Sequence, residues 1–131
     1  MKSLLAAAAF ASLAIAPAYA NCVYPHAPAN LPDGNVATLA QMLTAQKTVQ
    51  TYNHKMMAYL ACIKTQSDKT IAEQSLKLSK KQVVALESME IQRHNAAVDQ
   101  LKHVAREFNA EVRVYQKKHA KKGDSHGERS A

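Results

Sequence analysis

TLAQMLTAQKTVQTYNHKMMAYLACIK, residues 38–64, places Met42, Ala45, Val49, Tyr52, Met56, Tyr59 and Ile63 at alternating three- and four-residue steps. That spacing keeps one apolar stripe on one side of a helix through three heptads. Thr38-Leu39-Ala40-Gln41 opens the segment as a capping box, the hydroxyl and the side-chain amide each serving a backbone N–H that the first turn leaves unpaired. From Gln66 to Leu78 the stripe weakens, and Ser67-Asp68 reads as a kink, a fresh cap or a helix end.

Ser79-Lys80-Lys81-Gln82 is a second capping box and starts a second helix at Lys80. Its stripe runs through Val84, Ile91, Val98, Ala105 and Val112 in one row and Leu101, Phe108 and Tyr115 in the other, with Glu87 and His94 interrupting the second row. Gly123 is the expected stop, after a basic last turn of Lys117, Lys118, Lys121 and Lys122 that complements the helix dipole. Neither Gly nor Pro occurs from Asn35 to Lys122, and helix formers fill that stretch. The expected fold is all-α: a long antiparallel, coiled-coil-like helical hairpin, with helices over about 38–77 and 80–122 and a left-handed twist from the 3.5-residue period. A disordered tail is expected over 123–131. With no Trp and two Phe the core is small, so either an N-terminal arm reinforces it or the hairpin dimerises.

Ahead of the helices, MKSLLAAAAFASLAIAPAYA, residues 1–20, has the layout of a secretory signal peptide. Lys2 gives the positive start, Leu4 to Ala16 the apolar run, and Ala18-Tyr19-Ala20 the small residues a signal peptidase needs. The run is shorter than the roughly 20 apolar residues of a membrane span, and Asn21 before Cys22 is a poor fit to a lipoprotein site. Cleavage after Ala20 is expected to release a periplasmic chain that is not an integral membrane protein. Losing Lys2 lowers the net charge from +7 only to +6.

Cys22 and Cys62 are the two cysteines, and an even count in an exported domain reads as a disulfide. Cys62 lies 24 residues along the first helix, about 36 Å from its start. The 16 steps from Cys22 to Thr38 span at most about 53–58 Å, so an arm over 21–37 can fold back and close the bridge. Pro25, Pro28 and Pro32 suit an extended arm, and Pro32-Asp33-Gly34 suits a turn. An intermolecular disulfide or a redox-active thiol pair remain the alternatives.

The side chains that carry chemistry do not assemble into a motif. Six histidines form no i, i+4 pair and no His-Glu-x-x-His element. His54, Met56 and Met57 offer the imidazole and thioethers that suit Cu(I), although Met56 lies on the core stripe. Glu90 with His94, and Asp99 with His103, are four apart, as surface ion pairs usually are. A hairpin offers no deep pocket to shift their pKa values, so enzymatic activity is not expected, and no residue is assigned to catalysis, to a cofactor or to a metal. Positive charge concentrates at Lys80-Lys81 and from Arg113 to Lys122. In an exported chain that points to an anionic envelope component or an acidic protein and not to nucleic acid. The bland alternative is a solvated basic face.

Cys22, Pro32-Asp33-Gly34, Tyr59-x-x-Cys62 and the Asn95-Ala96-Ala97-Val98 to Phe108-Asn109 stretch resemble a set of small exported gammaproteobacterial proteins. The resemblance covers most of the chain after residue 20, implies a helical exported protein and assigns no catalytic or binding residue. In outline the chain is also similar to small periplasmic helical chaperones, by analogy of shape alone. The expected function is that of a periplasmic interaction module (envelope binding, adaptor or chaperone-like), with copper binding as the alternative.

Overall fold

The computed structural model describes residues 22–124. The expected signal peptide, its cleavage site and the tail beyond Asp124 lie outside them. Two helices account for most of the described chain, α1 over Leu39–Gln74 and α2 over Lys80–Asp124, and they pack against each other as a hairpin. An arm over 22–38 contains neither helix nor strand and lies along them.

Both helix starts follow from local chemistry. At Thr38 the backbone N–H donates to Gln41 Oε1 at 2.8 Å, and the Gln41 N–H donates to Thr38 Oγ1 at 3.2 Å. At Ser79 the same exchange with Gln82 occurs at 2.8 and 3.3 Å. Ser67-Asp68 neither kinks nor ends α1. Asp68 accepts from Lys64 at 2.8 Å, Thr65 and Thr70 hydroxyls donate back to carbonyls one turn earlier, and the helix runs on to Gln74. It stops there, three residues short of the expected 77, because the amides of Lys77 and Leu78 both turn back onto the Gln74 carbonyl. At the other end α2 passes through Gly123 to Asp124.

The core is short. Tyr52, Met56, Leu60 and Ile63 of α1 meet Ala97 and Val104 of α2, and Met42 and Ala45 meet Phe108 nearer the open end. Leu60 joins the expected α1 stripe, while Tyr59 and Val49 sit at its edge. On α2 the expected stripe holds over its second half, where Phe108 is buried and Val98, Leu101, Val112 and Tyr115 pack against the core, but Ala97 and Val104 join it from the neighbouring row and its first half is exposed. Ala97 and Val104 are buried, whereas Val84 is 62% exposed, Ile91 54% exposed and Ala105 exposed. A one-residue step rotates a helix by about 100°, so with Ala97 and Val104 turned inward, Val84, Ile91 and Ala105 look outward. Phe108 meets Met42 and Ala45 near the start of α1, with Val49 at the edge of the same cluster, since residue pairs in an antiparallel hairpin diverge equally from the turn.

The disulfide joins Cys22 to Cys62, with Cα atoms 5.7 Å apart. From there the arm runs back toward the start of α1. Pro25 is buried, Tyr24 packs edge-on to Tyr59 with ring centroids 5.0 Å apart, Ala27 touches the first cluster, and Leu31 and Ala37 touch the second. The arm ends in a turn over Asp33–Val36, where Asp33 Oδ1 accepts from the Asn35 N–H at 2.8 Å and the Asp33 carbonyl accepts from Val36 at 3.1 Å. This turn presses on α2: Glu111 Oε2 accepts from the Gly34 N–H at 2.8 Å, and Lys118 Nζ donates to the Asn35 carbonyl.

Gly34 is required by space and not by backbone angle, since no glycine among the described residues has a positive φ. A Cβ there would lie 2.2 Å from the Glu111 carbonyl oxygen and 2.8 Å from the Tyr115 nitrogen, both helix backbone that cannot give way. Gly34→Ala should therefore cost about 1–3 kcal/mol and lift the turn off α2. Thermal melts will read the loss, and hydrogen exchange will show it confined to residues 30–37. Val36→Ala is the comparator: it is 76% exposed and should change stability by less than about 0.5 kcal/mol. Equal effects would show that the contact with α2 is not tight.

Candidate functional site

The arm divides the hairpin into two unlike halves. Every buried residue of the described helices lies in 42–63 or 97–108, the part the arm covers, and none lies from 64 to 96. In that turn end the facing positions of α1 are Gln66, Ser67 and Thr70, across a shallow cleft of about 190 Å³ from Leu86 and Met89. Small polar side chains on α1 leave the apolar ones of α2 with little to bury against. The result is exposed carbon: Leu76 is fully exposed, Met89 at the cleft is 48% exposed, and Val84 and Ile91 are exposed on the other side of α2. Val84 and Ile91 are one heptad apart and share the outer face of α2, a row that continues into half-buried Val98.

Among the described residues the histidines are exposed and the carboxylates are exposed or half-buried. Neither Glu90 with His94 nor Asp99 with His103 forms an ion pair among the described residues. His103 turns the other way, to Glu107 at 3.3 Å, with both side chains about half exposed. Lys64–Asp68 and Lys69–Glu73 are likewise exposed i, i+4 pairs of the kind that contributes little. The hydrogen bond and charge of Asp68 raise the Lys64 pKa above its ordinary value. Among the described residues, no group of three or more His, Cys, Asp or Glu is placed to hold a metal ion.

The copper candidates separate. Met56 has no exposed surface and forms the centre of the core with Tyr52 and Leu60, while His54 is exposed and Met57 is 55% exposed. Moving Met56 outward to join them would open a cavity, and cavities in such cores cost about 2–5 kcal/mol. Lys80 and Lys81 lie exposed at the turn end, whereas Lys117 and Lys118 lie at the open end, where α2 runs on past the start of α1.

Tyr52 is the buried polar side chain that sequence reasoning classed as plain core. It is 4% exposed, and its hydroxyl has no hydrogen-bond partner. Burial, and secondarily the neighbouring Tyr24, raises its pKa above the ordinary tyrosine value. No alternation of apolar residues distinguishes a tyrosine whose hydroxyl is satisfied from one whose hydroxyl is stranded. That depends on where the arm lies.

Among the described residues no helix is long and apolar enough to cross a membrane. In comparisons with known proteins, no family model, no curated protein and no solved structure matches this chain.

Proposed function

We propose that this chain is an exported, periplasmic helical interaction protein, an adaptor or chaperone-like module, that engages its partner with the turn end of the hairpin. The observation that carries this reading is the exposed apolar surface of Leu76, Val84, Met89 and Ile91 in a half with no buried residue of its own. Exposed large apolar side chains such as Val84 and Ile91, one heptad apart on one face of α2, mark a surface for an interaction, because water penalises them until something covers them. Export is supported by the signal-like residues 1–20 and by the Cys22–Cys62 bridge, since disulfides persist in oxidising compartments. Copper binding is the weaker reading, because the core position of Met56 leaves only His54 and Met57 on the outside.

A photocrosslinking amino acid at Val84 or Ile91 in intact cells should yield a discrete adduct. The same probe at exposed Gln46, in the arm-covered half, should yield none. A Val84→Ser, Ile91→Ser variant should abolish partner recovery yet change stability by less than about 0.5 kcal/mol per site. Equal labelling at Gln46, or recovery that survives the double substitution, would remove the turn end as the docking surface.

A further inference from the structure

The half of the hairpin remote from that turn end carries a second feature, where the arm lies beside α1. His26 of the arm and Lys47, Thr51 and Lys55 of α1 line a cleft of about 310 Å³ whose floor is Tyr52. Lys47 and Lys55 are eight residues apart, a rise of about 12 Å, which two four-carbon stems can close from both ends. Neither forms an ion pair among the described residues, in contrast to Lys64 and Lys69. The chain offers them no nearby acid in sequence, since no Asp or Glu occurs between Asp33 and Asp68. The Asp33 carboxylate is occupied by the backbone and side-chain nitrogens of Asn35, at 2.8 and 3.0 Å.

A second cleft, of about 510 Å³, continues the same seam toward the start of α1. The two share Thr44 and Thr48 on their walls. The second is mostly apolar where the first is basic, with Leu31 and Val36 of the arm facing Ala40 and Ala45 of α1, although Asn30, Asp33 and Gln41 also line it. The seam therefore has an uncompensated cationic end and an apolar end in line. Tyr52, which lines the basic end, has a hydroxyl buried without a partner, a donor that a ligand oxygen could satisfy if the arm lifts at His26 and Pro28.

We propose that this seam binds an anionic amphiphile, its phosphate or carboxylate head between Lys47, Lys55 and His26 and its hydrocarbon along Leu31, Val36 and Ala40. A free anion would use only the first cleft, and an uncharged hydrocarbon only the second. The alignment of the two selects a ligand that has both.

The test titrates the full oxidised protein with monomeric dodecyl phosphate, and separately with inorganic phosphate, by calorimetry and by amide chemical shifts. Dodecyl phosphate should bind with one-to-one stoichiometry and move the resonances of residues 26–40 and 44–55 together. Inorganic phosphate should bind at least about tenfold more weakly, because it gains nothing from the apolar end. Lys47→Gln with Lys55→Gln should weaken dodecyl phosphate about tenfold or more by removing two charge-assisted contacts. Ala40→Glu should weaken it by a similar factor, since it sets a carboxylate in the apolar end. A glutamate in the first turn of α1 favours the helix, so that variant keeps its fold. Equal binding of the two probes, undiminished binding by either variant, or no saturable binding of dodecyl phosphate would each overturn the proposal. None of these outcomes bears on docking at Val84 and Ile91.

Discussion

Phe108→Ala should lower the free energy of unfolding by about 3–5 kcal/mol, the largest loss expected of any single side chain here. Phe108 is 9% exposed and meets Met42 and Ala45 of α1. The same cluster takes Leu31 and Ala37 from the arm and Val112 and Tyr115 from α2, so all three layers converge on this ring. Truncation would strip contacts from each layer at once, and the arm's extended backbone and the two helices cannot all shift inward to refill the space. Small domains have about 5–15 kcal/mol of stability in total, so this is a large share of it, and Tm should fall by on the order of 15–30 °C. Arg106→Ala, two residues earlier on the exposed face, should change stability by less than about 0.5 kcal/mol. Urea melts followed by circular dichroism will compare the two. Were both equally mild, the contact between α2 and α1 at the open end would not be what holds the hairpin closed.

Removing the bridge with Cys22→Ser and Cys62→Ser should cost about 4 kcal/mol, the chain-entropy value for a closed loop of 40 residues. For a domain of this size that lowers Tm by on the order of 15–30 °C. Helicity at low temperature should survive, because α1 and α2 keep their caps and their shared core. The arm should lose order from its first residues, with Tyr24 leaving Tyr59 and Pro25 becoming exposed, while the turn at Gly34 stays anchored by Glu111. Hydrogen exchange and tyrosine fluorescence will follow that order of release. The intact mass of the protein recovered from the periplasm reports on both the bridge and export: it should begin at Asn21 and lack the two hydrogens of a dithiol. Free thiols, or a dimer that collapses on reduction, would sink the intramolecular bridge as the state of the cellular protein.

Much of this architecture was legible in local sequence because local forces determine it. The capping boxes at Thr38 and Ser79 join residues three apart, and each forms in the structure as spacing alone indicates. Contour length against helix rise showed that the arm can reach Cys62, and the structure makes that bridge within one chain. The α1 stripe was nearly right. It omitted Leu60 because a strict 3.5-residue count drifts about 20° per heptad from a helix of 3.6, and by the third heptad the next residue has turned into the seam.

The choice of face on α2 was not available from its own residues. Two apolar rows run side by side there, Val84-Ile91-Val98-Ala105 and Val83-Ala97-Val104, and Glu90 interrupts the second. Reading α2 alone favours the uninterrupted row. α1 and the arm draw Ala97 and Val104 into the seam beside Val98, Leu101 and Phe108, because Ala97 lets the Met56 region approach closely and Val104 meets Tyr52, while Glu90 falls beside the polar stretch of α1 where it need not be buried. The start of the uninterrupted row is left over as the exposed surface at Val84 and Ile91.

Gly34 shows the same division on a smaller scale. Its sequence context, Pro32-Asp33-Gly34, specifies a turn, since these residues set the backbone angles and the side-chain hydrogen bond for one. That the position tolerates no Cβ comes from the Glu111 carbonyl, 77 residues away. The sequence by itself determined where each helix begins, that there are two, and that an arm can reach Cys62, because those outcomes rest on contacts within one turn or on chain length. Which sides of the helices are dry, where the arm's turn lands, and which surfaces are left for partners were decided only by the tertiary structure, because each depends on what two distant segments bury together.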